Sequence, residues 1–237
     1  NAHDAYADYA EIDYFRSNRI FILRDNGLGM TKEDFETRWL TLGTDSKLVN
    51  SSMTPPPHDS NKPKREITGE KGIGRLAIAS IGRQVLVLSR AKCGDRLSKT
   101  LVAFINWGVF ELPGLNLDDI IIPLKEIEGG ELPNQRLIQE LKNELIFSIE
   151  KLIKDNRIDK EKGFSLKQEI EGFNAIPETI EKTLPNPFLS LLNNGYGTHF
   201  YISPVDEMLD NDIDGEPNST DATKIEKMLV GFTNTMT

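Results

Sequence analysis

The 237-residue chain has little cysteine, no long apolar run and no excess of positive charge. Its single cysteine, Cys93, excludes an internal disulfide bond, which is typical of a reducing compartment, so we expect a cytoplasmic protein. No stretch of about 18 apolar residues and no signal peptide can be recognised, so the sequence predicts no membrane span. The net charge of −9 argues against a chain built mainly to hold nucleic-acid phosphates.

Histidine is also scarce, and His3, His58 and His199 lie too far apart to show metal-ligand spacing. At this length the chain holds one large domain, or one domain with an insertion. It begins at Asn1, without a methionine and inside a helical pattern, so we expect it to be part of a longer protein.

Apolar periodicity predicts both strands and helices. Residues 11–15 and 20–23 predict a hairpin, and further strands are expected at about 83–90, 99–106 and 199–203. Thr31, with Asp34 three residues later, predicts the N-terminus of a short helix that ends near Leu40.

Two segments interrupt this core. Residues 41–68 are polar and rich in serine, proline and lysine, which is typical of a functional lid or a disordered loop. Residues 115–194 contain an amphipathic helix at about 134–155 and a weaker one before Pro185, and we interpret them as a mainly helical insertion. The domain prediction is therefore a core over 1–114 with its lid at 41–71, the insertion 115–194, and a return strand and C-terminal helix over 195–237. Within that last part we expect a solvated acidic loop at 206–216 and a helix at about 221–232.

The first candidate site motif is NAHDA, at residues 1–5. In a helix Asn1, Asp4 and Ala5 share one face. An asparagine oxygen is a suitable ligand for a hard cation, and Asp4 could support that site or a sugar hydroxyl. The same pattern is also typical of a plain polar helix end.

The second motif is DNGLGM, at residues 25–30, directly after a buried strand. A carboxylate at Asp25 could accept a hydrogen bond from a purine amino group. Gly27 and Gly29 would let a flat ring approach the backbone. Asp-Asn-Gly is equally common in ordinary turns.

The third motif is GEKGIG, at residues 69–74, before a predicted helix. Backbone N–H groups at a helix N-terminus favour anions, so Gly69, Gly72 and Gly74 are candidates for a phosphate cradle, with Lys71 nearby. The motif is neither a Walker loop nor a dinucleotide fingerprint, and a flexible helix-capping turn is the alternative.

Together, NAHDAYADYAEID, IFILRDNGLGM, GEKGIGRLAIASIG and GYGTHFYI resemble the four motifs of the GHKL superfamily of ATP-binding domains: gyrase, the ninety-kilodalton heat-shock chaperone, histidine kinases and MutL. The resemblance covers about 1–110 and 195–204, and is nearest to MutL-, MORC- and chaperone-like members. It implies an α/β fold of the Bergerat type. This is a two-layer sandwich in which helices cover one face of a mixed, largely antiparallel sheet, here with a helical insertion.

The resemblance also implies roles for individual residues. Asn1 would coordinate Mg²⁺ on the phosphates of ATP, and Asp25 would bind the adenine amino group with support from Thr198. The other positions that match the family's nucleotide site are Asp4, Ala5, Gly27, Gly29, Met30, Ser46, Lys47, Gly69, Lys71, Gly72, Ile73 and Gly74.

In hydrolysing members of the superfamily, a glutamate four residues before the motif asparagine is the general base, and that position precedes Asn1. The resemblance implies that this chain is an ATP-binding conformational switch, in which Mg²⁺-ATP orders the lid and controls dimerisation or the engagement of a partner. We expect the intact protein to hydrolyse ATP, to form an ATP-dependent homodimer and to carry a partner or effector domain C-terminal to this chain. A histidine kinase catalytic domain and a nucleotide sensor without turnover remain alternatives.

Overall fold

The computed structural model describes residues 2–40, 53–54, 65–66, 74–214, 222–224 and 227. Its strands are β1 Ala10–Phe15, β2 Ile20–Asp25, β3 Met53–Thr54, β4 Arg65–Glu66, β5 Gln84–Cys93, β6 Arg96–Asn106, β7 Leu124–Ile127 and β8 Gly197–Ile202. Its α-helices are α1 Lys32–Asp34, α2 Gly74–Ile81, α3 Gln135–Lys154, α4 Lys160–Glu171, α5 Pro177–Ile180 and α6 Glu207–Asp214.

A six-stranded sheet in the order β1-β2-β8-β5-β6-β7 organises the molecule, and every pairing within it is antiparallel. The hairpins β1–β2 and β5–β6 connect neighbours along the chain, whereas β8 enters from far downstream and lies between them. The predicted α/β fold with a largely antiparallel sheet is confirmed. The position of β8 brings residues that are about 170 apart in sequence into direct contact.

Helices cover both faces of this sheet, whereas the family resemblance implied that they cover one face. On the face that we call the α3 face, Ile22, Leu88 and Tyr201 pack against the apolar sides of α3 and α4. On the opposite face, which we call the α2 face, Phe21 and Phe200 pack with Ile78 of α2 and with other apolar side chains. Because side chains alternate along a strand, each strand contributes to both apolar clusters.

The α2 face also receives the segment that follows β2. The Thr31 hydroxyl accepts a hydrogen bond from the Asp34 backbone N–H at 3.1 Å, and the Asp34 carboxylate accepts one from the Thr31 N–H at 3.2 Å, which confirms the predicted capping box. Beyond α1 the chain continues as a π-helix, Phe35–Trp39. The Trp39 ring stacks on Phe35 and on Phe200, with centroids 4.9 and 6.1 Å apart, and so fixes this segment to β8.

Residues 115–194 contribute both a strand and helices to the core. β7 pairs with β6 at the edge of the sheet, and α3 supplies Ile138, Leu141, Leu145 and Ile149 to the α3 face. The predicted helices at 134–155 and before Pro185 are present. The interpretation of residues 115–194 as an insertion on the core stays a prediction.

The N-terminal residues have the hydrogen bonds of a helix end, as predicted: the Ala7 N–H donates to the Ala2 carbonyl and the Tyr6 N–H to the His3 carbonyl, each at 3.0 Å, and Tyr6 has a left-handed backbone with φ 58°. The prediction of a solvated loop at 206–216 was wrong. The acidic run at 206–216 contains helix α6, in which the amide of Met208 is capped by the Asp206 carboxylate at 2.9 Å. The predicted helix at 221–232 lies mostly outside the described residues. Among the described helices, none is long and apolar enough to cross a membrane.

Candidate functional site

Three polar side chains form a row across the centre of the sheet. Asp25 on β2 pairs with Thr198 on β8, and Thr198 pairs with Ser89 on β5. All three point to the α2 face, as shown by their alternation with the apolar residues of that face. Asp25 and Thr198 are each 8% exposed, and Ser89 is fully buried. The row thus presents two partly accessible polar groups backed by a buried hydroxyl.

Asp25 is held by backbone donors. Its Oδ1 accepts a hydrogen bond from the Gly27 N–H at 2.9 Å. Burial raises the pKa of the Asp25 carboxyl from 3.8 to about 6, and the backbone N–H groups of Gly27 and Thr198 oppose that rise. At pH 7 the group is therefore mostly ionised and acts as a buried hydrogen-bond acceptor, as a purine amino group requires.

The loop 26–30 is fastened on two sides. The Leu28 N–H donates to the Ala5 carbonyl at 2.7 Å, and the Leu28 carbonyl accepts from the Lys92 N–H at 2.8 Å. The Met30 N–H donates to the Ser89 hydroxyl oxygen at 2.8 Å. The loop that carries the predicted adenine-side residues is therefore tied both to the N-terminal turn and to β5.

The glycines in this region are required by the protein's own packing. At Gly29, which has φ +66°, a Cβ would lie 2.2 Å from the Arg90 carbonyl oxygen. At Gly197, which has φ +136°, a Cβ would lie 2.0 Å from the Asp25 carbonyl oxygen. A Cβ at Gly27 would come within 2.8 Å of the Ala5 side chain. Close approach of the backbone, and not of a ligand alone, explains these glycines.

The N-terminal turn packs against β4. The Arg65 backbone N–H donates to the Tyr6 hydroxyl at 3.1 Å, and its guanidinium lies 5.0 Å from the Tyr6 ring centroid. That guanidinium also donates to the carbonyls of His3 and Ala7, at 3.1 and 3.0 Å. Asp4 lies in this turn with a carboxylate oxygen 3.5 Å from the His3 Nδ1. Arg65 thus fixes the turn that holds Asp4 and Ala5.

Arg90 anchors the loop that leads into β8. Its Nε donates to the Ser98 carbonyl at 3.1 Å, and its Nη1 donates to the carbonyls of Gly195, at 3.1 Å, and Asn193. Burial lowers the pKa of the Arg90 guanidinium. Neither Arg90 nor Ser89 stood out in the sequence, because an arginine and a serine at the end of an apolar strand carry no signature of their own.

A buried charged cluster occupies the α3 face directly behind the row. Arg24, which is fully buried, forms an ion pair with Glu11 and lies 3.7 Å from Asp13 and 3.8 Å from Glu181. In the strand pairing Arg24 lies opposite His199, next to Asp25 and Thr198. These charges face away from the row, so we assign them to the stability of the strands.

The structure therefore brings Ala5, Asp25, Gly27, Gly29 and Thr198 around one place, with Met30 held by Ser89. Asp4 lies in the adjoining turn, and Gly74 begins α2. The remaining predicted site residues lie outside the described residues: Asn1, Ser46, Lys47, Gly69, Lys71, Gly72 and Ile73. Within the part of the chain that the structure describes, no group of three or more histidine, cysteine, aspartate or glutamate side chains could hold a metal ion.

Comparison with known proteins agrees with this geometry. A family model described as histidine kinase-, DNA gyrase B- and HSP90-like ATPase matches residues 1–111. Chaperone protein HtpG of Wigglesworthia glossinidia brevipalpis is 28% identical over 171 residues, which cover 66% of this chain and 26% of that protein. HtpG of Shouchella clausii is 32% identical over 96 residues, which cover 40% of this chain and 14% of that protein.

The chain thus spans about a quarter of one relative and a smaller share of the other. The match over residues 1–111 includes the acidic strand end at Asp25 and the start of α2. The six-stranded antiparallel sheet with its helices is consistent with the Bergerat fold of such a domain. Residues 1–111 thus match the family of histidine kinase-, DNA gyrase B- and HSP90-like ATPases, the GHKL superfamily.

Proposed function

We propose that this chain is the ATP-binding conformational switch of a longer protein. In this proposal Mg²⁺-ATP orders residues 41–71 as a lid, and the ordered lid controls dimerisation or the engagement of a partner domain. The observation that carries the proposal is the pair of buried acceptors, Asp25 and Thr198, side by side on adjacent strands at the α2 face. An exocyclic amino group with two N–H donors is a suitable partner for such a pair.

The other roles follow from the sequence motifs. Asn1 would contribute an amide oxygen to Mg²⁺, with Asp4 in support, and Ser46 and Lys47 would act at the start of the lid. Gly69, Lys71, Gly72, Ile73 and Gly74 would hold the phosphates, because the backbone N–H groups before α2 favour an anion. Bound Mg²⁺ would neutralise phosphate charge.

Similarity to chaperones favours a switch module over a histidine kinase catalytic domain. We propose that the intact protein hydrolyses ATP, with a glutamate before Asn1 as the general base. A nucleotide sensor without turnover is the competing proposal. Phosphate release by the intact protein distinguishes them: release that depends on ATP and Mg²⁺ supports hydrolysis, and tight ATP binding without release supports a sensor.

The nucleotide site is tested by calorimetric titration with Mg²⁺-ATP at pH 7.5. We expect the wild type to bind, and Asp25→Asn to bind more weakly by on the order of 1.5–3 kcal/mol, because a hydrogen bond to a charged acceptor is lost. Asp119→Asn is the matched control, since Asp119 is paired with Arg157 in the loop before β7. Equal affinity of Asp25→Asn and wild type would contradict the site.

The switch is tested by sedimentation of the intact protein with ATP and with ADP. ATP is expected to increase the dimer fraction, and ADP to leave the protein largely monomeric. The same dimer fraction with both nucleotides, despite normal ATP binding, would contradict the switch but leave the nucleotide site intact.

A further inference from the structure

Ser89 lies directly behind the proposed nucleotide site. It is fully buried in β5, and its strand partner Thr198 has Asp25 as its partner on the other side. The Ser89 hydroxyl oxygen has three polar neighbours: the Met30 backbone nitrogen at 2.8 Å, the Gly197 carbonyl oxygen at 3.1 Å and the Thr198 hydroxyl oxygen at 3.0 Å.

The chemistry of these neighbours fixes the direction of each hydrogen bond. A hydroxyl group has one proton to donate and two lone pairs with which to accept. The Gly197 carbonyl can only accept and the Met30 N–H can only donate, so Ser89 donates its proton to Gly197 and accepts one from Met30. The second lone pair of Ser89 then accepts the proton of the Thr198 hydroxyl. Only this arrangement satisfies all three contacts.

The Thr198 hydroxyl, whose proton is directed inward to Ser89, presents lone pairs to the outside. Asp25, its strand neighbour, also accepts hydrogen bonds. The site thus offers two acceptors in a row to a ligand. A purine with an amino group at position 6 can donate to both, whereas a purine with an oxygen at position 6 would place a third acceptor against them.

We propose that Ser89 is a positioning residue that fixes the Thr198 hydroxyl as an acceptor and thereby selects 6-amino purine over 6-oxo purine nucleotides. The inference rests on the proposed nucleotide function and deepens it. Without the Ser89 hydroxyl, the Thr198 hydroxyl is free to rotate and donate its own proton to a 6-oxo group.

The test compares the dissociation constants of ATP and inosine triphosphate, each with Mg²⁺, for wild type and Ser89→Ala. We expect the wild type to prefer ATP, and Ser89→Ala to reduce that preference by roughly tenfold, the scale of one misdirected buried hydrogen bond. Ser89→Thr retains the hydroxyl and is expected to restore the preference. Ser203→Ala is the matched control, because Ser203 is 1% exposed and its hydroxyl donates to Asn174 at 2.7 Å beyond the other end of β8.

A double-mutant cycle separates positioning from general destabilisation. If Ser89 acts through Thr198, the Ser89→Ala substitution will not lower the preference further in a Thr198→Val background. A merely structural role would weaken ATP and inosine triphosphate by the same factor and leave their ratio unchanged, which would overturn the proposal.

Each possible failure has a distinct meaning. A wild type that binds neither nucleotide contradicts the proposed function itself. A wild type that binds inosine triphosphate as tightly as ATP contradicts the role of Ser89 without any variant. If Ser89→Ala does not fold, Thr198→Val alone must lower the preference for ATP, because it removes the acceptor that Ser89 orients; an unchanged preference would overturn the proposal.

Discussion

Replacement of Asp25 by asparagine is expected to stabilise the unliganded protein at neutral pH while it weakens nucleotide binding. Burial raises the pKa of this carboxyl from 3.8 to about 6, so the folded protein carries a charge at pH 7 at a position that favours the protonated form. One pKa unit corresponds to about 1.4 kcal/mol, and the raised pKa therefore costs about 3 kcal/mol of unfolding free energy at pH 7.

The Asp25→Asn variant avoids this cost but loses a hydrogen bond. An asparagine has one side-chain acceptor oxygen for the N–H groups of Gly27 and Thr198, both of which bond to the carboxylate. Loss of one hydrogen bond costs about 1 kcal/mol, which leaves a net stabilisation of about 2 kcal/mol at pH 7.

The direction in which stability changes with pH follows from the raised pKa of Asp25. Between pH 3.8 and about 6 the folded state binds more protons at Asp25 than the unfolded state does, so stability of the wild type falls as pH rises through this window. Below the window the penalty is absent. The advantage of Asp25→Asn should therefore be complete at pH 7.5 and close to zero near pH 4.5, where the remaining penalty and the lost hydrogen bond cancel.

Thermal unfolding without nucleotide, at these two pH values, checks the reasoning. At pH 7.5 the Tm is expected to rise by roughly 4–8 °C, as a change of about 2 kcal/mol produces in a chain of this size. Asp119→Asn is a control of opposite sign, because the Asn116 N–H and Arg157 lower the pKa of Asp119. An Asp25→Asn variant that is less stable than wild type at pH 7.5, or equally stabilised at both pH values, would refute the argument.

Three further outcomes are expected. ATP affinity, measured by calorimetry, should fall about tenfold from pH 7 to pH 5 as Asp25 becomes protonated, and a flat profile would contradict its role as the acceptor. Arg24→Met should lower the unfolding free energy in urea by about 3–5 kcal/mol, since it leaves buried carboxylates unpaired; a loss under 1 kcal/mol would show that the charges are solvated. Gly197→Ala should cost about 3 kcal/mol or more in the same assay, because its Cβ would overlap the Asp25 carbonyl; unchanged stability would mean that β2 and β8 separate easily.

Local sequence patterns predicted the elements well, because each depends on neighbouring residues. The Thr31 capping box, the two hairpins and helix α3 follow from spacing within a few residues. The helix end expected at the N-terminus is local as well, since the left-handed Tyr6 allows backbone hydrogen bonds back to Ala2 and His3 that close it. The prediction of a solvated loop at 206–216 was wrong because negative charge near the start of a helix is favourable, and Asp206 caps α6.

The candidate site was predictable only in part, because it is assembled by long-range pairing. Asp25 follows a buried strand and could be singled out from its surroundings, whereas Thr198 was identified through resemblance to a family motif. Their adjacency depends on β8 inserting between β2 and β5, which no local pattern encodes. The contacts of Ser89 with Thr198 and of Arg90 with Gly195 depend on the same pairing, so the roles of these two residues could be seen only in the structure.

The energetics of Asp25 connect the fold to the proposed switch. Without ligand, a carboxylate lies buried between backbone donors at a cost in stability, and Thr198 presents a second acceptor beside it. A ligand that donates to both acceptors relieves this penalty only when it is bound, so its interaction energy also stabilises the pairing of β2 with β8. The π-helix Phe35–Trp39 stacks on β8 through Phe200, two residues beyond Thr198. Nucleotide binding would therefore be transmitted to the segment that leads into residues 41–71 through a strand that the ligand itself stabilises, as a lid controlled by ATP requires.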